Sequence, residues 1–153
     1  IEEIFHADET GEKPLFSLGL DARVWLSPDN MRDWITSHLY SAKKTLYIYN
    51  QTVTDPGIIE TLKDLYKSGI DVKLCTTNTD QHGVTLPFPV SRLSSPYIHA
   101  KLILIDGTSL LLGSINFTTN ALDHNRELAL YIEKDEKFYS QVENLFFREC
   151  FPD

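Results

Sequence analysis

The sequence predicts an α/β domain with a mixed, mostly parallel sheet sandwiched by helices. Three observations lead there. Between residues 21 and 76, short β-branched and aromatic runs alternate with amphipathic helical stripes, the pattern of strand–helix–strand units that lays helices on the faces of a sheet. Residues 102–105 read Leu-Ile-Leu-Ile and 110–112 read Leu-Leu-Leu, with Asp106-Gly107 between them, so two buried strands follow one another across a tight turn. Near the C-terminus Phe138, Val142, Leu145 and Phe146 fall at helical spacing, the stripe of an amphipathic helix. A chain of 153 residues holds one such domain with a proper core.

The elements follow in order. Residues 1–20 are acidic and mixed, with a Thr-Gly-Glu-Lys-Pro cluster, and read as a linker or arm ahead of a domain over 21–153. Residues 21–27 are a strand candidate, and Ser27 is expected to cap a helix with Pro28 in its first turn. Met31, Trp34, Ile35, His38, Leu39 and Ala42 form the stripe of that helix. His38 on that stripe reads as a core or boundary histidine. Residues 45–50 are β-branched and aromatic, a strand. Asp55-Pro56 opens a second helix, with Ile58, Ile59, Leu62, Leu65 and Tyr66 on its buried face and Gly69 at its end. Residues 72–76 are the next strand. Residues 77–95 are rich in Thr, Asn, Gln, Gly and Pro and read as a lid or specificity segment, with a short strand near 90–93. His82 in it reads as a solvated loop residue and Arg92 as a surface ion-pair former. A short helix over 117–122 and an alternating strand over 127–132 precede the terminal helix.

Composition bounds the function. The formal net charge of -8 argues against broad non-specific binding to nucleic acid or anionic membrane, and leaves room for a local basic pocket. No run of apolar residues is long enough for a transmembrane helix. The opening Ile-Glu-Glu-Ile-Phe lacks the basic and apolar regions of a signal peptide. Without an initiator Met, the chain reads as a mature or excised segment of something longer. Cys75 lies in a strand run and reads as a buried thiol, and Cys150 lies near a helix end; the two give no disulfide framework and no metal-ligand spacing.

One stretch carries chemistry. Residues 99–116, HAKLILIDGTSLLLGSIN, contain His99, Lys101, Asp106, Gly113, Ser114 and Asn116 in the pattern H-x-K-x4-D-x6-G-S-x-N. Six specified residues at average usage give a chance match on the order of 10^-8 per start position. His99 and Lys101 share a face at the start of the first buried strand. Gly113 and Ser114 end the second strand, which returns Ser114 and Asn116 to the same region. An ammonium and neutral donors beside an imidazole make a site for a phosphate, with the imidazole placed to attack phosphorus.

These residues match the HKD motif of the phospholipase D superfamily at every specified position, and the chain resembles a phospholipase D-like half-domain of the bacterial two-motif and cardiolipin synthase-like kind. Asn125-Arg126-Glu127 stands where members often carry an N-x-E segment. The resemblance implies a metal-independent phosphodiesterase or phosphatidyltransferase without cofactor. His99 would be the nucleophile of a phosphohistidine intermediate. Lys101, Ser114 and Asn116 would bind the phosphate, and Glu127 would orient the histidine ring. Asp106 would support catalysis, or simply make its turn. His124 reads as a turn residue. The motif occurs once, whereas the family uses two facing halves. The expected partner is therefore a second HKD half, in a homodimer or in a longer chain, and the substrate a phosphodiester, phospholipid or nucleic acid. A nuclease of the same superfamily and a non-catalytic half-domain that completes a partner are the alternatives.

Overall fold

Alternation of side chains assigns each central strand to two cores. The computed structural model describes residues 9–10, 23–28, 30–79, 85–95 and 97–152. Its strands are β1 (Val24–Leu26), β2 (Thr45–Asn50), β3 (Thr52–Val53), β4 (Asp71–Thr76), β5 (Asn78–Thr79), β6 (Val90–Arg92), β7 (Lys101–Ile105), β8 (Ser109–Gly113) and β9 (Leu128–Ile132). Seven of them form one sheet in the order β1-β9-β8-β7-β2-β4-β6, while β3 and β5 pair separately. Helices α1 (Met31–Ser41), α2 (Pro56–Lys67), α3 (Thr119–Asp123) and α4 (Glu136–Cys150) complete the described fold.

Leu46 and Ile48 of β2, with Ile103 and Ile105 of β7, pack against Trp34, Leu39, Ile58, Leu62 and Leu122 of α1–α3. The intervening Tyr47, Tyr49, Leu102 and Leu104 pack against Tyr139 and Phe146 of α4. The sheet is thus sandwiched by helices, as predicted, and mixed. Its parallel majority is not found: only β2–β4 and β4–β6 are parallel, and the other four pairings are antiparallel. Connection length explains the difference. A tight turn joins β7 to β8 and can only return the chain antiparallel, whereas α2 supplies the long crossover that a parallel β2–β4 pair needs.

Of the two helix starts read from local signals, one held. Asp55 caps α2, its carboxylate accepting from Ile58 N at 3.0 Å. Thr118 caps α3 and Asp135 caps α4 in the same way. Ser27 does not cap α1. The N-cap there is Asn30, in the left-handed region at φ 55° and without a side-chain cap bond. Ser27 is instead fully buried. Its hydroxyl donates to Asn125 O and accepts from Glu127 N at 2.6 Å, fastening the end of β1 to the approach to β9.

The reading of two separate thiols is also corrected. Cys75 and Cys150 form a disulfide, S–S 1.93 Å and Cα–Cα 5.9 Å. Cys75 is on the α4-facing side of β4 and meets the last residue of α4. The partners are 75 residues apart in sequence, so no local spacing announced the pair. The strand expected near 90–93 is β6. Phe88 just before it is buried in the α1–α3 core, which ties this part of the proposed lid to the body. His82 and the boundary between an arm over 1–20 and the domain lie outside the described residues. Of the core and boundary readings of His38 the structure takes the boundary one: the residue is half-buried, its ring between Trp34 and Tyr131 at 4.4 and 4.3 Å between centroids, with Nδ1 2.8 Å from Trp34 O. Burial pushes its pKa below the usual value, against the pull of Trp34 O and Glu133.

Candidate active site

Register brings the motif together. Asn50 at the end of β2 pairs with Lys101 at the start of β7, Leu102 pairs with Leu112, and Gly113 at the end of β8 pairs with Ala129 near the start of β9. One end of the sheet therefore collects Asn50, Lys101, Gly113, Ser114 and Glu127. Lys101 shares the α1–α3 side of the sheet with Ile103 and is only 9% exposed. Its Nζ donates to Gln51 Oε1 at 2.8 Å and to the His99 carbonyl at 2.7 Å. Burial lowers the Lys101 pKa, and the negative charge of Glu127 opposes that shift. A small cavity lies beside the lysine, lined by Asn50, Gly113 and apolar side chains including Ile35, Leu111 and Phe117.

Gly113 is a requirement of close approach. A Cβ at this position would stand 2.3 Å from Leu128 O and 3.2 Å from Ala129 Cα, so any side chain would push β8 from β9. The next residue exploits that proximity. Ser114 N donates to Leu128 O at 3.0 Å, and Ser114 Oγ accepts from Leu128 N at 3.2 Å while donating to Glu127 Oε2. Glu127 Oε1 also accepts from Asn125 Nδ2 at 3.2 Å. The carboxylate expected at the site is there, but among the described residues its hydrogen bonds go to Ser114 and Asn125 and not to the His99 ring.

Asn116 is held by its neighbours. Asn50 Nδ2 donates to Ile115 O at 3.0 Å, and Asn50 Oδ1 accepts from Phe117 N at 3.1 Å. Phe117 N also donates to Thr52 O at 3.0 Å. Asn116 itself carries a buried Oδ1 with no partner, a condition that asks for an explanation in a native fold. His99 is exposed and precedes β7. Its neighbour Ile98 is buried in the α4-side core, and Thr77 Oγ1 donates to the Ile98 carbonyl at 3.3 Å.

Asp106 is not brought to this end. It lies past the far end of β7, in the left-handed region at φ 52°. Its carboxylate accepts three backbone N–H groups, from Lys43, Lys44 and Thr45, at 2.8–2.9 Å. His124 is the exposed C-cap of α3. Sequence reading did not single out Asn50, Gln51 or Tyr97, and gave Ser27 only a capping role. Asn50 did leave a signal, a polar residue closing the apolar run TLYIYN, and it is 1% exposed. No group of three or more His, Cys, Asp or Glu among the described residues is placed to hold a metal ion. No described helix is long and apolar enough to cross a membrane.

A helix-flanked sheet that gathers an H-x-K, an amide and a carboxylate at one end defines a phospholipase D-like domain. Comparison with known proteins agrees: the chain belongs to the phospholipase D superfamily, in the family described as cardiolipin synthase, PLD-like domain, whose model matches residues 35–150. The mitochondrial cardiolipin hydrolase of Chlamydomonas reinhardtii is 29% identical over 99 residues, covering 59% of this chain and 44% of that protein. The human protein of the same name is 29% identical over 107 residues, covering 64% of this chain and 42% of its own length. The chain thus spans less than half of these relatives. Among solved structures, Nuc from Salmonella typhimurium, a phospholipase D family member, is 27% identical with a TM-score of 0.72, covering 82% of this chain and 90% of that one. NucT from Helicobacter pylori shares the fold at 20% identity and TM-score 0.68, covering 83% and 95%.

Proposed function

We propose that this chain is one catalytic half of a phosphodiesterase that works through a phosphohistidine on His99. The observation that carries the reading is the Lys101 ammonium, kept mostly out of water at the entry to β7, two residues from His99 and beside Glu127. There a positive charge acts on phosphoryl oxygens with little screening. In the first step a His99 ring nitrogen bonds to phosphorus and the ester oxygen leaves, taking a proton from the histidine of a second HKD half. In the second, water gives its proton to that same histidine and breaks the P–N bond, releasing a phosphomonoester and restoring His99. An alcohol in place of water gives phosphatidyl transfer. Lys101 and Asn116 bind the phosphoryl oxygens, Asn116 donating through Nδ2, while its unpartnered Oδ1 is left to accept from a hydroxyl or water of the substrate complex. Ser114, whose hydroxyl proton goes to Glu127, orients that carboxylate. Glu127 in turn stabilises an imidazolium across the assembled site. Asp106 serves by holding the Lys43–Thr45 backbone. Residues 21–153 form the domain and 1–20 its arm.

The curated relatives are named cardiolipin hydrolases, which favours a phospholipid substrate. A nuclease is the second reading, favoured by the likeness to Nuc. Turnover of bis(4-nitrophenyl) phosphate, cardiolipin vesicles and single-stranded DNA, each with and without excess chelator, tests both. The reading expects cleavage of the aryl diester that persists in chelator, with acid-labile label on His99. Label on a serine, or no label with turnover intact, rejects it.

A further inference from the structure

Gln51 joins the buried lysine to the rim of the site. Its backbone is fixed from both sides: Thr76 Oγ1 donates to Gln51 O at 3.2 Å, and Thr52 N donates to Asn50 Oδ1 at 3.3 Å. The pairing of Thr52 with Asn78 holds the next residue. Its side-chain amide has one chemically sensible orientation. An ammonium only donates, so Oε1 faces Lys101 Nζ at 2.8 Å. Nε2 then donates to Tyr97 Oη at 2.6 Å. A phenol that accepts from an amide keeps its own O–H to give away. Tyr97 is 58% exposed and lies two residues before His99. Of the three Lys101 protons, two go to Gln51 Oε1 and the His99 carbonyl.

We propose that Gln51 is a positioning residue that aims the third proton of the Lys101 ammonium into the site, and that Tyr97 is a substrate-contacting residue whose hydroxyl donates to an oxygen flanking the scissile phosphodiester. The substrate class is then an extended one, with acceptor oxygens on either side of the reacting phosphate. This rests on the phosphodiesterase reading above. The lowered Lys101 pKa makes the Gln51 contact matter more, because an acceptor favours the charged form that burial disfavours.

The test uses Gln51→Leu, Gln51→Glu and Tyr97→Phe, assayed on bis(4-nitrophenyl) phosphate and on cardiolipin vesicles and single-stranded DNA. The Lys101 ammonium is titrated by NMR in parallel. Tyr97→Phe is expected to keep kcat/KM on the aryl diester within about twofold. On the extended substrate that the wild type cleaves, it should raise KM about 5–30-fold at unchanged kcat, as loss of a uniform binding contact does. Gln51→Leu should cut kcat/KM on both substrate types by roughly 10–100-fold, the scale of a lost bond to a charged group, and move the Lys101 titration to lower pH. Gln51→Glu should return that titration to wild type or above. It would also take the Tyr97 proton, and so reproduce the KM defect of Tyr97→Phe. An unmoved Lys101 titration in Gln51→Leu overturns the role of Gln51, and an unchanged KM on the extended substrate in Tyr97→Phe overturns that of Tyr97. A wild type that cleaves no phosphodiester removes the proposed function and the Tyr97 contact together, while the Lys101 titration still decides Gln51.

Discussion

Glu127 shows how a single residue depends on long-range company. Its carboxylate is fixed by Ser114 and Asn125, and its backbone N–H by the Ser27 hydroxyl, about a hundred residues away in sequence. Its charge also supports the Lys101 ammonium. Glu127→Gln keeps the shape and an acceptor for Ser114 but removes the charge. The expected result is a fall in kcat of about 10^2-fold or more with KM changed less than twofold, because the charge matters most when the imidazolium forms. Steady-state kinetics on the aryl diester check it, and a kcat near wild type would remove Glu127 from the chemistry. Legibility at this scale divides by range. His99, Lys101, Ser114 and Asn116 stand in one stretch, so spacing alone makes them candidates. Asn50 and Gln51 gain their meaning only when β2 is laid against β7 in the Asn50–Lys101 register, which one-dimensional spacing does not encode.

At the scale of elements, two carboxylates do structural work at helix and strand ends. Arg32 of α1 binds Asp55 at the N-terminus of α2 through two bonds of 2.7 and 2.9 Å, and Asp123 at the end of α3 through two more. Asp55, only 2% exposed, also accepts from Ile58 N and Thr119 Oγ1. Burial alone would raise its pKa. The Arg32 bond, the Ile58 amide and Thr119 overcome that and hold it at about 2, below the ordinary 3.8. A depressed carboxylate contributes stability that is complete above its unfolded value and lost as pH falls through its folded one. The difference amounts to about 2 kcal/mol, which should disappear between pH 4 and pH 2. Urea unfolding across that range should show this acid limb in the wild type and a much smaller one in Asp55→Asn; equal limbs would contradict it. Asp106 makes a separate prediction. Asp106→Ala strips the acceptor from three backbone N–H groups and should lower stability by about 2–3 kcal/mol. The kcat of the folded protein should stay within about threefold. A kcat collapse without loss of stability would return Asp106 to the chemistry. The helix start at Asp55 was legible because capping is local, and the caps at Thr118 and Asp135 became plain only in the structure. The Ser27 cap misled because its hydroxyl had a better use against Asn125 and Glu127, about a hundred residues away.

For the whole molecule, sheet order decided what sequence left open. Strand–helix alternation suggested a parallel majority, but one helical crossover gives one β2–β4 pair, and the β7–β8–β9 meander contributes antiparallel neighbours. The Cys75–Cys150 bond was invisible for the same reason, since it depends on which face of the sheet α4 covers. Closing a 75-residue separation, it constrains the unfolded chain by about 4 kcal/mol in the loop-entropy account. The described fold carries one HKD motif, and its one motif histidine cannot serve at once as nucleophile and as leaving-group acid. Under the proposed phosphohistidine mechanism, two halves share a site, each giving one histidine. Activity per protomer should rise with protein concentration to a plateau, in step with dimer measured by sedimentation. His99→Asn protein should also act as a poison. A wild-type chain paired with a variant chain has only one histidine, so a tenfold excess of variant, mixed where subunits exchange, should leave about a tenth of the wild-type activity in dimers that count. A monomer with full turnover, indifferent to the added variant, would mean that one histidine suffices and that the acid comes from elsewhere in this chain.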